Sequence, residues 1–200
     1  MIRKKALTQI EIAEILAERW SGRAYDPDRP VERDELLALL EAARWAPSCF
    51  GDQPWRYLIW DRFAEPERWR RAFDCLSEGN RRWAFRAPLL MLALADSRFS
   101  DGRPNRWGQY DTGAASLSLA LEATARGLMA HQMSGFDADK VRVEFAIPER
   151  YECMAMLTVG YPLPESRIPE ELKEREYAPR SRRPLSESFF VGEWGNPFQP

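Results

Sequence analysis

The sequence has 200 residues, enough for one domain with a buried core, and it carries 29 basic and 31 acidic residues. A net charge of −2 argues against nucleic-acid binding driven by bulk charge, which needs a basic excess or a basic face. Three scattered cysteines and a single histidine argue against a zinc site of the usual ligands. We therefore expect one domain over residues 1–200, without a metal.

The cysteines and the apolar runs favour a cytoplasmic protein. Cys49, Cys75 and Cys153 show no CxxC spacing, and an odd number of cysteines fits a reducing compartment. The N-terminal residues lack the apolar run of a signal peptide. The longest apolar run, residues 87–95, is too short to span a bilayer, so we expect no membrane partner.

Helices and strands alternate along the chain. Thr8 and Glu11 form a capping-box pattern before a helically spaced Ile/Leu face, which predicts a helix over 9–19. By spacing and punctuation, further helices are predicted over 32–45, 65–77, 80–86, 110–126 and 137–146. Strands are predicted over 55–60, 88–95, 128–132 and 153–162. This order predicts a central sheet flanked by helices, in an α+β or α/β arrangement.

Residues 163–200 differ in character from the rest. They are rich in Pro, Glu and Arg and contain one short apolar patch, SFFV. Such a segment cannot build its own core. We expect this C-terminal extension to be either disordered or laid over another surface, including that of a partner subunit.

Three turns carry arginines. They are RWSGR (19–23), GNRRW (79–83) and RSRR (180–183). Two arginines beside a serine and a glycine suit a phosphate, because they supply forked donors, a hydroxyl and close backbone approach. Two or three such bonds, at about 1.5–3 kcal/mol each, would anchor a phosphorylated ligand. For any one turn alone, the alternative is a solvated, charged helix end.

Several common catalytic motifs are absent from the sequence. It has no GxGxxG, no P-loop and no GxSxG elbow. His131 is the single histidine, and a lone histidine is more often a packed or exposed residue than a catalyst. No catalytic side chain is nominated. If the protein is an enzyme, a bound cofactor is expected to carry the chemistry.

The sequence resembles nitroreductase-family flavoproteins. Their opening pattern is R-x-S-x-R-x-[FY], a helix, then A-x-x-A-P-S-[SC]-x-N-x-Q-P-W, and residues 19–55 follow it from RWSGRAY to AARWAPSCFGDQPW. YDTGAASLSLALEATARGL, GFDADKV, LTVGYP and RSRRPL then occur in the family's order and spacing. The resemblance spans about residues 12–195. The SGR and APS-Q-P-W motifs are specific together, and either alone is weak.

The resemblance implies a mostly antiparallel or mixed sheet and a homodimer with FMN at the subunit interface. The extension would pack on the partner. The residues implied to bind FMN come from five parts of the chain. Arg19, Trp20, Ser21 and Arg23 lie at the phosphate and ribityl group or the pyrimidine edge, and Arg180 and Arg182 close over the phosphate. Pro47, Ser48 and Cys49 of the other subunit line the ring, and Gln53 secures their turn. Ser134 and Gly135 lie near flavin N5, and Asn80 and Arg82 lie at the ribityl or pyrimidine group.

The wall also makes physical sense from its residues. A flat tricyclic ring needs a thin wall, which Ser48 and Cys49 suit, and Pro47 and Pro54 keep it rigid. The sequence departs from the family where the usual Asn is Gly51, followed by Asp52. That change leaves FMN binding expected and puts the substrate preference in doubt.

The implied activity is electron transfer from NADH or NADPH to a small electrophilic acceptor such as a nitroaromatic or a quinone, in a ping-pong mechanism. Arg23 is the candidate for positive charge near the flavin pyrimidine edge. Two alternatives stay open. One is a specialised enzyme of the same fold: a dehalogenase, an enoyl-type reductase or a flavin-fragmenting enzyme. The other is a non-catalytic flavin-binding protein.

Overall fold

The computed structural model describes residue 2 and residues 4–199. In this part of the chain the helices are α1 (Glu14–Glu18), α2 (Arg33–Arg44), α3 (Pro66–Phe73), α4 (Glu78–Ala84), α5 (Gly108–Ala125), α6 (Ala138–Glu144) and α7 (Glu170–Tyr177). The strands are β1 (Trp55–Asp61), β2 (Leu89–Asp96), β3 (Met129–Met133) and β4 (Tyr151–Gly160). Each described helix is too short or too polar to cross a lipid bilayer.

The four strands form one antiparallel sheet in the order β1-β2-β4-β3. β2 is buried at every position, as the lack of polar side chains over residues 88–95 predicts; its last residue, Asp96, is also buried. β3 is an edge strand, and the segment before Asp26 lies along it, since the His131 ring contacts the Gly22 carbonyl. The α+β fold with an antiparallel sheet flanked by helices is thereby confirmed.

Helices cover both faces of the sheet. Alternate side chains of β2 point to opposite cores: Leu89, Met91 and Ala93 pack with residues of α2 and α5, whereas Leu90 and Leu92 pack with residues of α3, α4 and α6. The result is a three-layer arrangement of helices, sheet and helices. α5 is the longest helix, with 18 residues, and it lies against α2.

The predicted elements after residue 30 occur in order with ends shifted by a few residues. α5 is followed by Gly127 at φ +71°, the left-handed stop that its position predicts. The first helix was predicted wrongly, because α1 begins at Glu14 and Thr8 does not cap it. A contact with α1 outweighs the local capping signal there: the Ala6 N–H donates to the Ala17 carbonyl at 2.8 Å, and residues 6–13 are not helical.

The first half of the extension lies on the body of its own protomer. Leu163, Ile168 and Leu172 are buried in the core beneath α3 and α4, and Glu176 of α7 is buried as well. Beyond Tyr177 the chain is largely exposed, including Phe189 and Trp194. Only this later part of the described extension still needs another surface.

The tight end of β4 provides a test of the packing. A Cβ added at Gly160 would lie 2.4 Å from Pro88 Cδ and 3.1 Å from the Tyr25 ring. We expect Gly160→Ala to lower the free energy of unfolding by about 1–3 kcal/mol in urea titrations, because the strand must shift.

Gly79 of α4 is the matched control, because a Cβ there meets no atom within 4 Å. Gly79→Ala is expected to raise the free energy of unfolding by about 0.5–1 kcal/mol through helix propensity. Equal effects of the two substitutions would contradict this description of the packing.

Candidate functional site

The turn at residues 19–23 is packed closely on β3. Gly22 is buried, and a Cβ there would lie 2.2 Å from Met129 Sδ and 3.0 Å from the Trp20 ring. Its carbonyl is 3.0 Å from His131 Nδ1. Glycine at this position therefore lets the turn approach β3, and the turn presents Ser21 with its side chain exposed.

Two arginines belong to this turn and two come from the C-terminal extension. We call these four residues, Arg19, Arg23, Arg180 and Arg182, the arginine cluster. Burial lowers the pKa of Arg19, and the charges of Arg180 and Arg182 lower it further. The pKa of Arg180 is lowered by burial and then by Arg182. Guanidinium groups from the turn and from the extension are thus close enough to repel one another, and a bound anion would relieve that repulsion.

Backbone carbonyls hold Arg180 in the cluster. Its Nη1 donates to the Lys4 carbonyl at 2.5 Å and to the Ala17 carbonyl at 2.7 Å. Arg19 Nη1 lies 3.4 Å from Ser21 Oγ. Trp20 faces the other way: Lys4 Nζ lies 4.4 Å from its ring centre, and both residues line a cavity of about 50 Å³.

Arg23 is supported by aromatic rings. Its guanidinium lies 5.7 Å from the Trp83 ring centre, and the Trp83 ring lies 4.6 Å from that of His131 and 6.3 Å from that of Tyr25. Burial lowers the pKa of Arg23 and Arg175 lowers it further, while Glu176 opposes the change. α4 therefore supports the arginine cluster through Trp83.

His131 is neutral at physiological pH. Burial lowers its pKa to about 4; the Gly22 carbonyl opposes this, and the charges of Arg23 and Arg19 add to it. Because the Gly22 carbonyl can only accept, the neutral ring carries its proton on Nδ1 and donates it there. The structure thus shows His131 as a packed residue rather than an exposed acid or base.

The residues after β3 form a second part of the site. The Gly135 carbonyl accepts hydrogen bonds from Asn80 Nδ2 and from the Ser77 N–H, each at 2.9 Å. A Cβ at Gly135 would lie 2.6 Å from Ser77 Oγ. Asn80 thus holds the Ser134–Gly135 turn in place. Arg82 lies on the exposed side of α4, paired with Glu78 at 2.5 Å, and does not join the arginine cluster.

The third part is the loop after α2. The Cys49 N–H donates to Asp111 Oδ2 at 3.0 Å, and the Gln53 N–H donates to Ser48 Oγ at 3.1 Å. Pro47 and the Gln53 side chain are exposed. Gly51 adopts φ +69° next to Phe50 at φ +57°, and glycine adopts this conformation more readily than the asparagine expected there.

This loop and the arginine cluster lie at opposite ends of α5. The loop contacts Asp111 in the first turn of α5, whereas Thr124 near its last turn lines the same cavity as Trp20. Thirteen residues of α-helix separate Asp111 from Thr124, which corresponds to about 20 Å. One chain therefore does not place both parts against the same end of a small ligand.

An apolar surface lies on α2, on α5 and on the loop after α2. It consists of large side chains exposed on the layer that covers one face of the sheet: Leu37, Trp45, Phe50, Trp107, Tyr110 and Leu117. Phe50 is 85% exposed and Tyr110 is 77% exposed. Apolar groups clustered in this way are typical of a surface that another protein covers.

Comparison with known proteins identifies the family. The model of the "Nitroreductase family" matches residues 16–161, most of the chain. The chain belongs to the nitroreductase family. An uncharacterised 15.4 kDa protein of Mycolicibacterium smegmatis is 37% identical over 122 residues, which cover 61% of this chain and 81% of that protein. A Streptomyces coelicolor protein named "Putative NADH dehydrogenase/NAD(P)H nitroreductase" is 27% identical over 162 residues, covering 71% of this chain and 81% of that protein.

Solved structures agree with this assignment. A crystal structure described as an oxidoreductase containing FMN has a TM-score of 0.86 and 32% identity, with 95% of this chain and 96% of that chain covered. A nitroreductase family protein from Clostridium difficile 630 has a TM-score of 0.67 and 28% identity, with 92% of this chain and 99% of that chain covered.

Some supporting residues of the candidate site were not found from the sequence. Glu176 accepts a hydrogen bond from the Arg23 N–H, and the Trp83 ring lies beside the Arg23 guanidinium. Asp111 accepts a hydrogen bond from the Cys49 N–H and so holds the loop after α2. Glu176 sits in a run of charged residues with no sign of its burial. Asp111 lies in the YDTG segment, which is part of the resemblance. An acidic residue in the first turn of a helix of small residues was the signal that could have pointed to it.

The buried neutral state of His131 predicts a pH dependence of stability. In the unfolded chain His131 has its ordinary pKa of 6.5 and binds a proton below that pH. In the folded chain its pKa is about 4, so it stays neutral until the pH is lower. Stability is therefore lost as the pH falls from about 6.5 towards about 4, and between about pH 7 and pH 5 the loss is about 2 kcal/mol.

The measurement is urea unfolding of the wild type and of His131→Asn at both pH values. The wild type should lose about 2 kcal/mol more than the variant, because no other histidine is present to contribute. Parallel pH profiles for the two proteins would show that His131 does not titrate as described.

Proposed function

We propose that the protein is an FMN-dependent oxidoreductase that passes electrons from NADH or NADPH to an electrophilic acceptor, such as a nitroaromatic or a quinone, by a ping-pong mechanism. The arginine cluster carries this proposal, because the guanidiniums of Arg19, Arg180 and Arg182 repel one another beside the exposed Ser21 hydroxyl, an arrangement that suits a phosphate. Two relatives support it. The solved structure with 32% identity is described as containing FMN, and the Streptomyces coelicolor relative is named as an NAD(P)H nitroreductase.

The residues of the cluster fit a phosphate monoester. Arg19 and Ser21 offer a donor pair from the turn, while Arg180 and Arg182 approach from the extension. The carboxyl group of Glu176 partly offsets the positive charge of Arg23, so Arg23 presents a weaker positive charge to the pyrimidine edge of the flavin. Trp20 belongs to the support behind the turn, since it faces the cavity beside Lys4.

The turn after β3 fits the reactive edge of a flavin. Bound FMN would supply a ring that accepts a hydride from the nicotinamide and returns the electrons to the acceptor. Among the described residues, none accepts a hydrogen bond from the Gly135 N–H. The Ser134 carbonyl, in the same peptide unit as this N–H, accepts from the Phe136 N–H at 3.1 Å, so the N–H is oriented and available to a ring nitrogen. Arg82 requires a rotamer change to reach a ligand, because it is paired with Glu78.

We propose that the functional unit is a homodimer. The loop Pro47–Cys49 and the arginine cluster are about 20 Å apart along α5, so the wall of each flavin site comes from the other subunit. The apolar surface on α2 and α5 is the contact between subunits, and the exposed residues after Tyr177 pack on the partner. Cys49, Cys75 and Cys153 are free thiols, as a reducing cytoplasm keeps them.

The cofactor is tested on the purified protein. We expect a yellow chromophore that is released as FMN on denaturation and is bleached without oxygen by NADH or NADPH. Arg19→Ala combined with Arg182→Ala should weaken FMN binding by about 100-fold or more, since two charge-assisted contacts of about 1.5–3 kcal/mol each are lost. Arg68→Ala on α3 is the control and should leave FMN binding unchanged, because its side chain is exposed and α3 covers the face of the sheet opposite the proposed subunit contact.

The outcomes separate the alternatives. Protein that carries FMN but is bleached by neither nicotinamide is a non-catalytic flavin-binding protein. Protein that is bleached but reduces neither nitroaromatics nor quinones is a specialised flavin enzyme of this fold. Protein that binds no FMN refutes the proposal.

Sharing of the site between subunits is tested by complementation. One chain carries Arg19→Ala with Arg182→Ala, and the other carries Cys49→Trp, which fills the wall. Each homodimer should be inactive, whereas a mixed dimer has one site with both defects and one with neither. We expect the mixed dimer to regain about half of the wild-type activity. If mixing restores nothing although mixed dimers form, each site lies within one chain.

A further inference from the structure

A single peptide unit in the turn at 19–23 is held from both sides by buried ionisable side chains. The Gly22 carbonyl accepts from His131 Nδ1 at 3.0 Å, and the Arg23 N–H donates to Glu176 Oε1 at 2.8 Å. The carbonyl and the N–H of a trans peptide point in opposite directions. The two contacts therefore fix the rotation of the plane that joins Gly22 to Arg23.

The two side chains reach the turn from distant parts of the chain. His131, on β3, is 109 residues from Gly22, and Glu176, on α7, is 153 residues from Arg23. His131 is 8% exposed and Glu176 is 3% exposed. Burying ionisable groups carries a desolvation penalty, and here the contacts with this peptide are part of the compensation. The direction of the peptide is thus determined by tertiary structure and not by the local sequence.

The rest of the turn depends on that direction. Ser21 precedes the held peptide and the Arg23 side chain leaves from its far end, while the tight approach to Met129 prevents Gly22 from shifting towards β3. Because the turn is anchored at this peptide, a change in its orientation would displace the Ser21 hydroxyl relative to β3 and α7. Burial raises the pKa of Glu176, and the Arg23 N–H and Lys4 oppose that rise, so the carboxyl is engaged with the turn and not with solvent.

We propose that His131 and Glu176 are positioning residues, a clamp on the Gly22–Arg23 peptide that orients the Ser21 hydroxyl, beside Arg19, towards the phosphate of the cofactor. The inference rests on the proposed FMN site. Because Glu176 belongs to α7, the clamp makes the C-terminal extension part of phosphate recognition in its own protomer. It acts through the backbone of the turn.

Binding of FMN and riboflavin separates this role from a general structural one, because riboflavin lacks the phosphate. His131→Leu removes the donor and Glu176→Met removes the acceptor. Each should weaken FMN binding by about tenfold, the size of one well-formed hydrogen bond, and change riboflavin binding by less than about threefold. His131→Asn keeps an N–H near the Nδ1 position, and Glu176→Gln keeps the acceptor oxygen, so both should restore FMN binding to within about threefold of the wild type.

Tyr57→Phe is the matched control. It removes a hydrogen bond of 2.9 Å to Ser116 on the opposite face of the sheet, so it should lower the melting temperature without changing the ratio of FMN to riboflavin affinity. If His131→Leu and Glu176→Met weaken both ligands equally, or leave FMN binding unchanged, the clamp is refuted. If the wild type binds no FMN, the proposed function fails instead.

Hydrogen–deuterium exchange covers the case in which the Leu and Met variants do not fold. In the wild type the Arg23 amide should exchange slowly before any ligand is added, and FMN but not riboflavin should slow exchange further over residues 19–24. Fast exchange of the Arg23 amide in the ligand-free protein would overturn the proposal.

Discussion

The structure depends most on holding several guanidinium groups together at one edge of the sheet. Arg19, Arg180 and Arg182 repel one another, and partial burial removes the water that would otherwise screen them. Hydrogen bonds to backbone carbonyls hold these guanidiniums together despite their repulsion: Arg180 donates to the carbonyls of Lys4 and Ala17. The stability gained in the two cores supports a local arrangement that favours an anion.

The core layers place the parts of the site. β2 and the second half of β4, residues 156–160, are buried on both faces, so the edge strand β3 and its flanking segments are left to carry the candidate site. α4 reaches both parts near β3, with Trp83 against His131 and Asn80 against Gly135. α5 spans the same body and holds the wall loop at its far end. A rigid scaffold with functional turns at its margins is the usual division of labour in such domains.

Most elements could be predicted from the sequence because their signals are local. The apolar run of β2, the small residues of α5 and the glycine after it each determine structure within a few residues. The helix expected after Thr8 was wrong because a backbone bond from Ala6 to Ala17 competes with the capping signal. The role of Glu176 could not be predicted from the sequence. Its burial depends on the packing of α7 against the turn that contains Arg23, and the two residues are 153 positions apart in the chain. Arginine-bearing turns were recognisable, but whether they converge depends on the tertiary fold.

In the homodimer proposed above, the length of α5 has a consequence for how much of the protein carries FMN. Where the two ends of one helix serve two different sites, neither site is complete until two chains associate. Ligand affinity and subunit affinity are then thermodynamically linked, so that flavin strengthens the dimer and dilution of the protein releases flavin. In a protomer of this design, newly made chains would acquire the prosthetic group as they pair, and the cellular concentration of the protein would set how much of it is loaded.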